Sequence, residues 1–260
     1  MKKINVVKIG GNVIDDPEGL ERFLKIFSEI EGPKILVHGG GKEATRLSAA
    51  MSIETKMIDG RRVTDRQTLD IVTMVYAGLI NKRIVSLLQR LGCNALGMSG
   101  ADGNLIPARR RSPSPIDYGH VGDIDPHKVN KDLLRVLLEG GITPVVCAIC
   151  HDTEGNLLNC NADSVAAALA IAASSLGRTV LTYCFEKAGV LADIDDETSV
   201  IPLVTPSNFT RLKEEGVIAK GMIPKIANAL DSAGKGVAEV RICKAEAAGS
   251  DAGTLIIAGE

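Results

Sequence analysis

The sequence predicts an α/β protein built around a mainly parallel sheet. Short apolar runs alternate with longer amphipathic segments, which is the pattern of strand–helix units in such a sheet. Glycine-rich turns follow several of the apolar runs, and the 260 residues include 27 glycines. Only 3% of the residues are aromatic and none is tryptophan, which disfavours an aromatic-cored β-sandwich and a stacking platform for single-stranded nucleic acid.

The charge balance and hydropathy narrow the class of protein further. Thirty basic and 32 acidic residues give a net charge of −2, so the chain carries no overall electrostatic signal for nucleic acid. No uninterrupted apolar run reaches the roughly 18 residues of a membrane span. The first apolar run breaks at Lys8 and is too short for a signal peptide. We therefore expect a cytoplasmic protein with no membrane partner.

The six cysteines lie among apolar residues and are expected to be buried thiols in a reducing compartment. Cys147, Cys150 and His151 have the spacing of a haem-attachment site. They end an apolar run over residues 142–150, however, and no export signal precedes them. This context favours a buried strand, and no metal or haem site is predicted.

The first half of the chain begins in a strand and contains several strand–helix units. Asp16 and Pro17 have the residue types of an N-cap and a first helical position. Thr64 followed by Gln67 resembles a capping box and opens a long helix that is expected to kink at Gly78. Strands are predicted over residues 4–9, 34–38 and 94–98, and helices over residues 17–30, 42–51 and 64–91.

Residues 100–125 are rich in glycine and proline and predict a hairpin-like insertion. A helix is expected from Asp125-Pro126 to Gly140-Gly141, followed by a central strand over residues 142–149. Asn161, Ala162 and Asp163 then open an alanine-rich helix that ends near Gly177. The remaining predicted strands are 179–184, 238–243 and 254–258, and the remaining helices are 206–215 and 223–233. No Ser- or Pro-rich linker divides the chain. If the protein has two halves, we therefore expect them to share one sheet.

Two glycine turns follow predicted strands and carry the chemistry. Gly10-Gly11 follows the first strand, and Gly39-Gly40-Gly41 follows the second. Glycine allows backbone N–H groups to approach an anion closely, and the next helix adds its positive end. Two such turns indicate two anionic groups held close together, although tight turns alone would also account for them.

Two lysines occupy positions that are unfavourable without an anionic partner. Lys8 lies in an apolar strand, where a buried ammonium is costly unless it is paired or reaches solvent at an edge. Lys225 opens a predicted helix, where the helix dipole opposes a cation. An anionic ligand would explain both positions.

Known glycine motifs were tested against these turns. Gly41-Lys42 is followed by Glu43, so the phosphate loop of the P-loop enzymes does not fit. Gly39, Gly41 and Ala44 match the dinucleotide fingerprint, with Asp59 at the expected distance. Residues 53–58 are too polar for the buried strand that the fingerprint needs, and a dinucleotide-dependent oxidoreductase remains only an alternative.

Six segments, taken together, resemble the acetylglutamate kinases of the amino-acid kinase superfamily. They occur in the family's order and cover the chain from residue 4 to residue 257. The segments are 8–11, 37–41, 60–64, 119–122, 159–163 and 221–225.

The resemblance implies an open three-layer α/β/α sandwich with a mainly parallel sheet of about eight strands. Residues 1–175 would bind the N-acylated glutamate and form a homodimer, and residues 176–260 would bind ATP. The implied reaction transfers phosphate from ATP to the γ-carboxylate of N-acetyl-L-glutamate, in the second step of arginine biosynthesis. Mg²⁺ would arrive with ATP, without a dedicated protein metal site.

The resemblance also assigns roles by motif. Lys8 and Lys225 would stabilise the transferring phosphoryl group, and Asp163 would hold both lysines. The acceptor would bind Gly40, Gly41, Arg62 and Asn159. The nucleotide would bind Gly10, Gly11, Glu186, Lys187, Gly189, Leu191, Val217, Ala219 and Gly221.

The chain departs from the family pattern in three places. Residues 185–188 (Phe-Glu-Lys-Ala) replace a Thr/Ser-Asp-Val stretch beside the nucleotide, and Lys220 replaces an acidic residue. Residues 109–111 are three arginines in the insertion. N-succinyl-L-glutamate therefore stays an alternative acceptor, and a non-catalytic ligand-sensing module stays an alternative function. The early start of the first strand leads us to expect an arginine-insensitive dimer.

Overall fold

The computed structural model describes residues 3–58, 60–218 and 222–259. Its strands fall into one large sheet and three small hairpins. In chain order the strands are β1 (Lys3–Ile9), β2 (Lys34–His38), β3 (Met57–Ile58), β4 (Arg61–Arg62), β5 (Ala95–Met98), β6 (Ala108–Arg110), β7 (Gly122–Ile124), β8 (Thr143–Cys147), β9 (Ile149–His151), β10 (Leu157–Asn159), β11 (Arg178–Phe185), β12 (Leu203–Val204), β13 (Glu239–Lys244) and β14 (Thr254–Ile256).

The helices alternate with these strands along the chain. They are α1 (Gly11–Asp15), α2 (Pro17–Glu29), α3 (Gly41–Ala50), α4 (Arg66–Thr73), α5 (Asn81–Arg90), α6 (Lys131–Glu139), α7 (Ala162–Ser174), α8 (Pro206–Glu214) and α9 (Ile223–Gly234). A π-helical segment, Met74–Ile80, joins α4 to α5. Single 3₁₀ turns lie at Asp102–Asn104, Pro126–Lys128 and Ala245–Ala247.

The large sheet has eight strands in the order β12-β14-β13-β11-β1-β2-β8-β5. All neighbours are parallel except β13 and β14. β2 is buried at every position and β1 at every position after Lys3, which is the mark of a sheet covered on both faces. The predicted fold class, a mainly parallel sheet of about eight strands between helices, is confirmed.

Three predicted elements differ from the structure. The long helix begins at Arg66 and is capped by Asp65, whose side chain accepts from the Thr68 N–H, rather than by a capping box at Thr64. The predicted central strand over 142–149 is two strands, β8 and β9, and β8 lies next to the edge of the sheet. Asp125 caps only a 3₁₀ turn, whereas α6 begins later, because the Asn130 side chain accepts from the N–H of Leu133. The insertion contains the predicted hairpin, formed by β6 and β7.

The helical run Arg66–Arg90 is long and apolar enough, by length and composition, to cross a membrane. Its apolar residues are not consecutive, which is why no span was predicted from the sequence. Leu69, Val72 and Ile84 on this run are buried in the core, and 44% of its most apolar window is buried. The run therefore packs as a core helix of the α/β domain.

All six cysteines are free and buried. Cys147 ends β8 and Cys150 lies in β9, so the haem-like spacing falls on two buried strands. Burial raises the pKa of the Cys147 thiol to about 12, which keeps it protonated at neutral pH.

Candidate active site

The two glycine turns lie side by side at the carboxyl edge of the sheet. β1 and β2 are adjacent and parallel, with Ile9 opposite His38, so both strands end at the same level. Gly10 then precedes α1, and Gly40 precedes α3. Gly40 has a φ of +153°, and a Cβ there would collide with Ile80 and lie 2.9 Å from Tyr76 Cδ1. Only glycine fits this position.

The first cavity opens above the turn at residues 39–41 and has a volume of about 390 Å³. Its walls are formed by both glycine turns, the two arginines of β4, the β6–β7 hairpin and the start of α7. The predicted acceptor residues Gly40, Gly41, Arg62 and Asn159 all line it.

Arg62 is held rigidly on one wall of the first cavity. Its guanidinium donates to the Gly41 carbonyl (2.8 Å) and to the hydroxyls of Thr45 (2.8 Å) and Thr55 (3.2 Å). It is 8% exposed. Because these bonds involve only its two terminal nitrogens, the group retains N–H donors for a carboxylate.

Asn159 is tied to the same wall through Thr64. The Asn159 side-chain amide donates to the Thr64 hydroxyl (3.0 Å), and that hydroxyl donates to the Arg62 carbonyl (3.1 Å). Both Asn159 and Thr64 are buried. Two acceptor residues predicted separately from the sequence are thus connected by hydrogen bonds.

The second cavity, about 760 Å³, lies toward the C-terminal half of the sheet. The residues from the nucleotide and catalytic predictions that line it are Lys8, Gly10, Gly11, Asp163, Glu186, Lys187, Gly189 and Lys225. Lys8, Gly10, Gly11 and Gly41 line both cavities. Lys8 therefore stands at the junction between them.

Charge at the junction is concentrated in Lys8, Asp163 and Lys225. Lys8 Nζ lies 2.8 Å from Asp163 Oδ1 and is almost fully buried. Asp163 is in the first turn of α7, where the helix dipole favours a carboxylate. Burial lowers the pKa of Lys225, while Asp163 opposes this shift and Lys8 adds to it. Asp163 is thus paired with one lysine and close enough to influence the other.

Phe185 lines the second cavity, and the sequence alone assigned it no role. The Lys225 ammonium is 3.9 Å and the Lys8 ammonium 5.3 Å from the centroid of its ring. The Tyr183 ring stacks with the Phe185 ring, their centroids 6.1 Å apart, and the Tyr183 hydroxyl donates to the Asp163 carbonyl. The available signal was the departure at 185–188, which was interpreted as a nucleotide-side change.

Tyr76 is a second unassigned residue of the first cavity. Its hydroxyl lies beside the Arg62 guanidinium, and burial raises the pKa of the phenol while Arg62 opposes the shift. In the sequence it is one apolar position of a long helix, and nothing there distinguished it from a core residue.

Two predicted nucleotide residues within the described ranges do not line the second cavity. Leu191 is buried in the core and pairs with Val200. Val217 follows α8 and packs against the core. Ala219 and Gly221, like Lys220 and Asp59, lie outside the described residues.

The arrangement joins two cavities at Lys8, which lines both. The two glycine turns, the Arg62 guanidinium and the Lys8 and Lys225 ammonium groups are distributed over their walls, and groups of these kinds bind anions. Such a site can hold two negatively charged molecules end to end and offset their repulsion while a group passes between them. Within the described ranges, no group of three or more His, Cys, Asp or Glu side chains is arranged to hold a metal ion.

The comparisons with known proteins agree with this arrangement. Residues 3–244 match the model of the family described as "Amino acid kinase family". The chain is 51% identical to the acetylglutamate kinase of Cytophaga hutchinsonii over 247 residues, covering 95% of this chain and 93% of that protein. It is 47% identical to the acetylglutamate kinase of Phocaeicola vulgatus, covering 98% of each. The crystal structure of smu.665 from Streptococcus mutans UA159 is similar with a TM-score of 0.77, at 27% identity, over 98% of this chain and 99% of that one.

Proposed function

This chain belongs to the amino acid kinase family and, within it, to the acetylglutamate kinases, and we propose on that premise how its site works. It is a kinase that transfers the γ-phosphoryl group of ATP to the γ-carboxylate of N-acetyl-L-glutamate, in the second step of arginine biosynthesis. One observation supports the assignment of the acceptor and ATP to the two cavities: Lys8 lines both cavities, at their junction.

The acceptor occupies the first cavity in this proposal. Arg62 binds its α-carboxylate through the N–H donors that remain on Nε and Nη1, with a permanent charge and a fixed placement that lysine does not reproduce. Asn159 and the N–H groups of Gly40 and Gly41 bind the rest of the molecule. The Arg62 guanidinium donates to the Gly41 carbonyl at 2.8 Å. This hydrogen bond fixes the distance between the groups proposed to bind the two ends of the acceptor, which supports placing the acceptor in the first cavity.

ATP occupies the second cavity, with its phosphates on Gly10 and Gly11. Glu186, Lys187 and Gly189 line this cavity. Ala219 and Gly221 stay in the proposed nucleotide set through the family resemblance, whereas Leu191 and Val217 pack in or against the core and do not line the cavity. Mg²⁺ enters as part of the nucleotide substrate, held by phosphate oxygens and water.

The chemistry needs no general base. The γ-carboxylate is ionised at neutral pH, since a glutamate carboxyl has a pKa of about 4.3. One of its oxygens attacks the γ-phosphorus, the bond from that phosphorus to the β,γ-bridging oxygen breaks, and ADP leaves with the electron pair. Lys8 and Lys225 offset the charge that accumulates on the transferring group, and Asp163 orients Lys8.

The division of the chain follows from these assignments. Residues 1–175 form the acceptor-binding and dimerisation lobe, and residues 176–260 form the ATP-binding lobe.

We propose a cytoplasmic homodimer whose two subunits meet at β5. Leu96 on that edge strand and Met74, Leu79 and Leu91 on the neighbouring helical run are large, exposed apolar side chains, and a second copy would cover them.

An ADP-release assay with hydroxylamine trapping tests the function. ATP with N-acetyl-L-glutamate should give one ADP per trapped γ-hydroxamate, whereas free glutamate should give little product. N-succinyl-L-glutamate is the alternative acceptor, because the Arg111 side chain, paired with Asp123, lines the first cavity and would meet the additional carboxylate of the succinyl group there. Binding without ADP release for any acceptor would indicate a ligand-sensing module.

A further inference from the structure

A chain of buried polar side chains lies beneath the turn at residues 39–41. His38, the last residue of β2, is completely buried, and its Nδ1 is 2.9 Å from the Gly39 carbonyl oxygen. Its Nε2 is 3.0 Å from the amide nitrogen of Asn81, also completely buried. That amide nitrogen also donates to the Val145 carbonyl at 2.9 Å.

These contacts determine where the imidazole proton resides. A carbonyl oxygen only accepts, so the Nδ1 of His38 must carry the hydrogen. The amide of Asn81 donates its second hydrogen to Nε2, which must therefore be unprotonated. Burial lowers the pKa of His38 to about 4, so the ring is neutral at physiological pH.

The orientation of Asn81 is itself fixed. Its side-chain oxygen accepts from Lys82 Nζ at 3.0 Å, and the same ammonium donates to the Gly97 carbonyl of β5 at 3.1 Å. The amide cannot rotate by half a turn without placing its oxygen against the Val145 carbonyl and its nitrogen against a cation. Asn81 therefore holds His38 in a single tautomer.

The bond to Gly39 sets the direction of the next N–H. A peptide unit is planar and trans, so its C=O and N–H point in opposite directions. With the Gly39 oxygen held against the buried ring, the Gly40 N–H points away from it, toward the first cavity that both glycines line. Glycine has no side chain to restrict this peptide, so an outside anchor is needed.

We propose that His38 is a positioning residue for the acceptor. Its Nδ1–H, kept in place by Asn81, fixes the peptide between Gly39 and Gly40 so that the Gly40 N–H is directed at the bound carboxylate. The proposal rests on the proposed function, because it needs an anionic acceptor in the first cavity. His38 is not among the described residues that line either cavity, so it acts through the glycine turn.

Two matched amide variants separate this role from simple packing. In His38→Asn the side-chain amide takes the place of Nδ1 and retains the donor for Gly39. In His38→Gln the amide takes the place of Nε2 and retains only the contact with Asn81. Each variant keeps one of the two hydrogen bonds and loses the other, so both leave a comparable defect in the core.

The readouts are calorimetric binding of N-acetyl-L-glutamate, the KM values for both substrates and the Tm. We expect His38→Asn to bind the acceptor within about threefold of the wild type and His38→Gln to bind about tenfold more weakly, the effect of one lost hydrogen bond. The KM for ATP should stay within about twofold in both. Equal losses, or a larger loss in His38→Asn, would overturn the proposal.

NMR of the wild-type protein with ¹⁵N-labelled histidine gives an independent measurement. A neutral His38 ring protonated at Nδ1 is expected at pH 7. A ring protonated at Nε2, or an imidazolium, would overturn the proposal without any variant. If this tautomer is found but the enzyme neither binds nor phosphorylates N-acetyl-L-glutamate, the proposed function fails, and the anchoring of Gly39 by His38 stands.

Discussion

The ammonium of Lys225 lies 3.9 Å from the centre of the Phe185 ring, and the ring is also within 5.3 Å of the Lys8 ammonium. The face of an aromatic ring attracts cations without adding a negative charge. The ring therefore attracts both ammonium groups beside a single carboxylate, Asp163, and adds no negative charge that would oppose phosphate. If residue 185 carried a carboxylate instead of the phenyl ring, that second negative charge beside Asp163 would repel the phosphates that the site is proposed to bind.

Replacing this ring should shift the pH dependence of the reaction. Phe185→Leu removes the contact that favours the charged form of Lys225, whose pKa burial already lowers. Removing a stabiliser of the cation lowers that pKa further, so the alkaline limb of the kcat profile should move to lower pH. Phe209→Leu, in α8 and packed against the core, is the matched control. An unchanged alkaline limb in Phe185→Leu would contradict this role.

Loss of either lysine should reduce turnover without unfolding the protein. We expect Lys8→Ala and Lys225→Ala to lower kcat by about 10²–10³-fold, as loss of a transition-state contact does. Asp163 keeps some solvent contact, its side chain being 20% exposed, so it tolerates the loss of Lys8. Lys235→Ala, which removes only an exposed pair with Asp231, is the control. Near-normal turnover in Lys8→Ala would show that the mechanism is wrong.

Arg62→Lys should affect acceptor binding. Lysine cannot reproduce the three hydrogen bonds to Gly41, Thr45 and Thr55 while also meeting a carboxylate. The KM for N-acetyl-L-glutamate should rise by about 10–100-fold, with the KM for ATP nearly unchanged. Arg66→Lys on the surface of α4 should alter neither value. A fall in kcat at constant acceptor KM would point to a catalytic role for Arg62 instead.

Two glycine substitutions should have opposite effects on stability. Gly40→Ala places a Cβ against Ile80 and Tyr76 at a φ of +153°, and should lower the free energy of unfolding by about 2 kcal/mol or more. Gly234→Ala, in α9 where a Cβ would meet nothing within 4 Å, should raise it by about 0.5 kcal/mol. Urea unfolding measures both. Equal effects would mean that the turn at residue 40 can relax.

The two edges of the sheet provide a matched test of the dimer. Leu96 on β5 is 43% exposed and Leu203 on β12, at the opposite edge, is 40% exposed. Leu96→Glu should shift the sedimenting species from dimer to monomer, because a charge at the interface has no partner. Leu203→Glu should leave the dimer intact. A monomeric wild type, or dissociation by both variants, would refute an interface at β5.

The elements that meet at the site were predictable where local sequence decides the outcome. The second strand was predicted at its observed bounds, and Lys8 was singled out because a charge in an apolar run is costly. The two glycine turns meet because parallel strands end at one edge of the sheet. Arg62 and Asn159, in contrast, were assigned through family resemblance, since neither has a local signal.

Features that depend on contacts distant in sequence were not predictable. Asn130 and Asp125 are both good helix caps, and only the packing of α6 decides between them. Phe185 and Lys225 are 40 positions apart in sequence and come together only in the folded chain. His38 is separated by 43 residues from the Asn81 that fixes its proton, so its environment cannot be inferred from neighbouring residues.

β1 occupies the interior of the sheet, between β2 and β11. During synthesis its first partner leaves the ribosome within a few dozen residues, whereas Arg178–Phe185 follows much later. Until then one side of the strand that carries Lys8 presents unpaired N–H and C=O groups, an edge prone to pairing with other chains. The nascent protein therefore passes through a long interval in which the strand that carries Lys8 is an open edge, and chaperone dependence should end once β11 has docked.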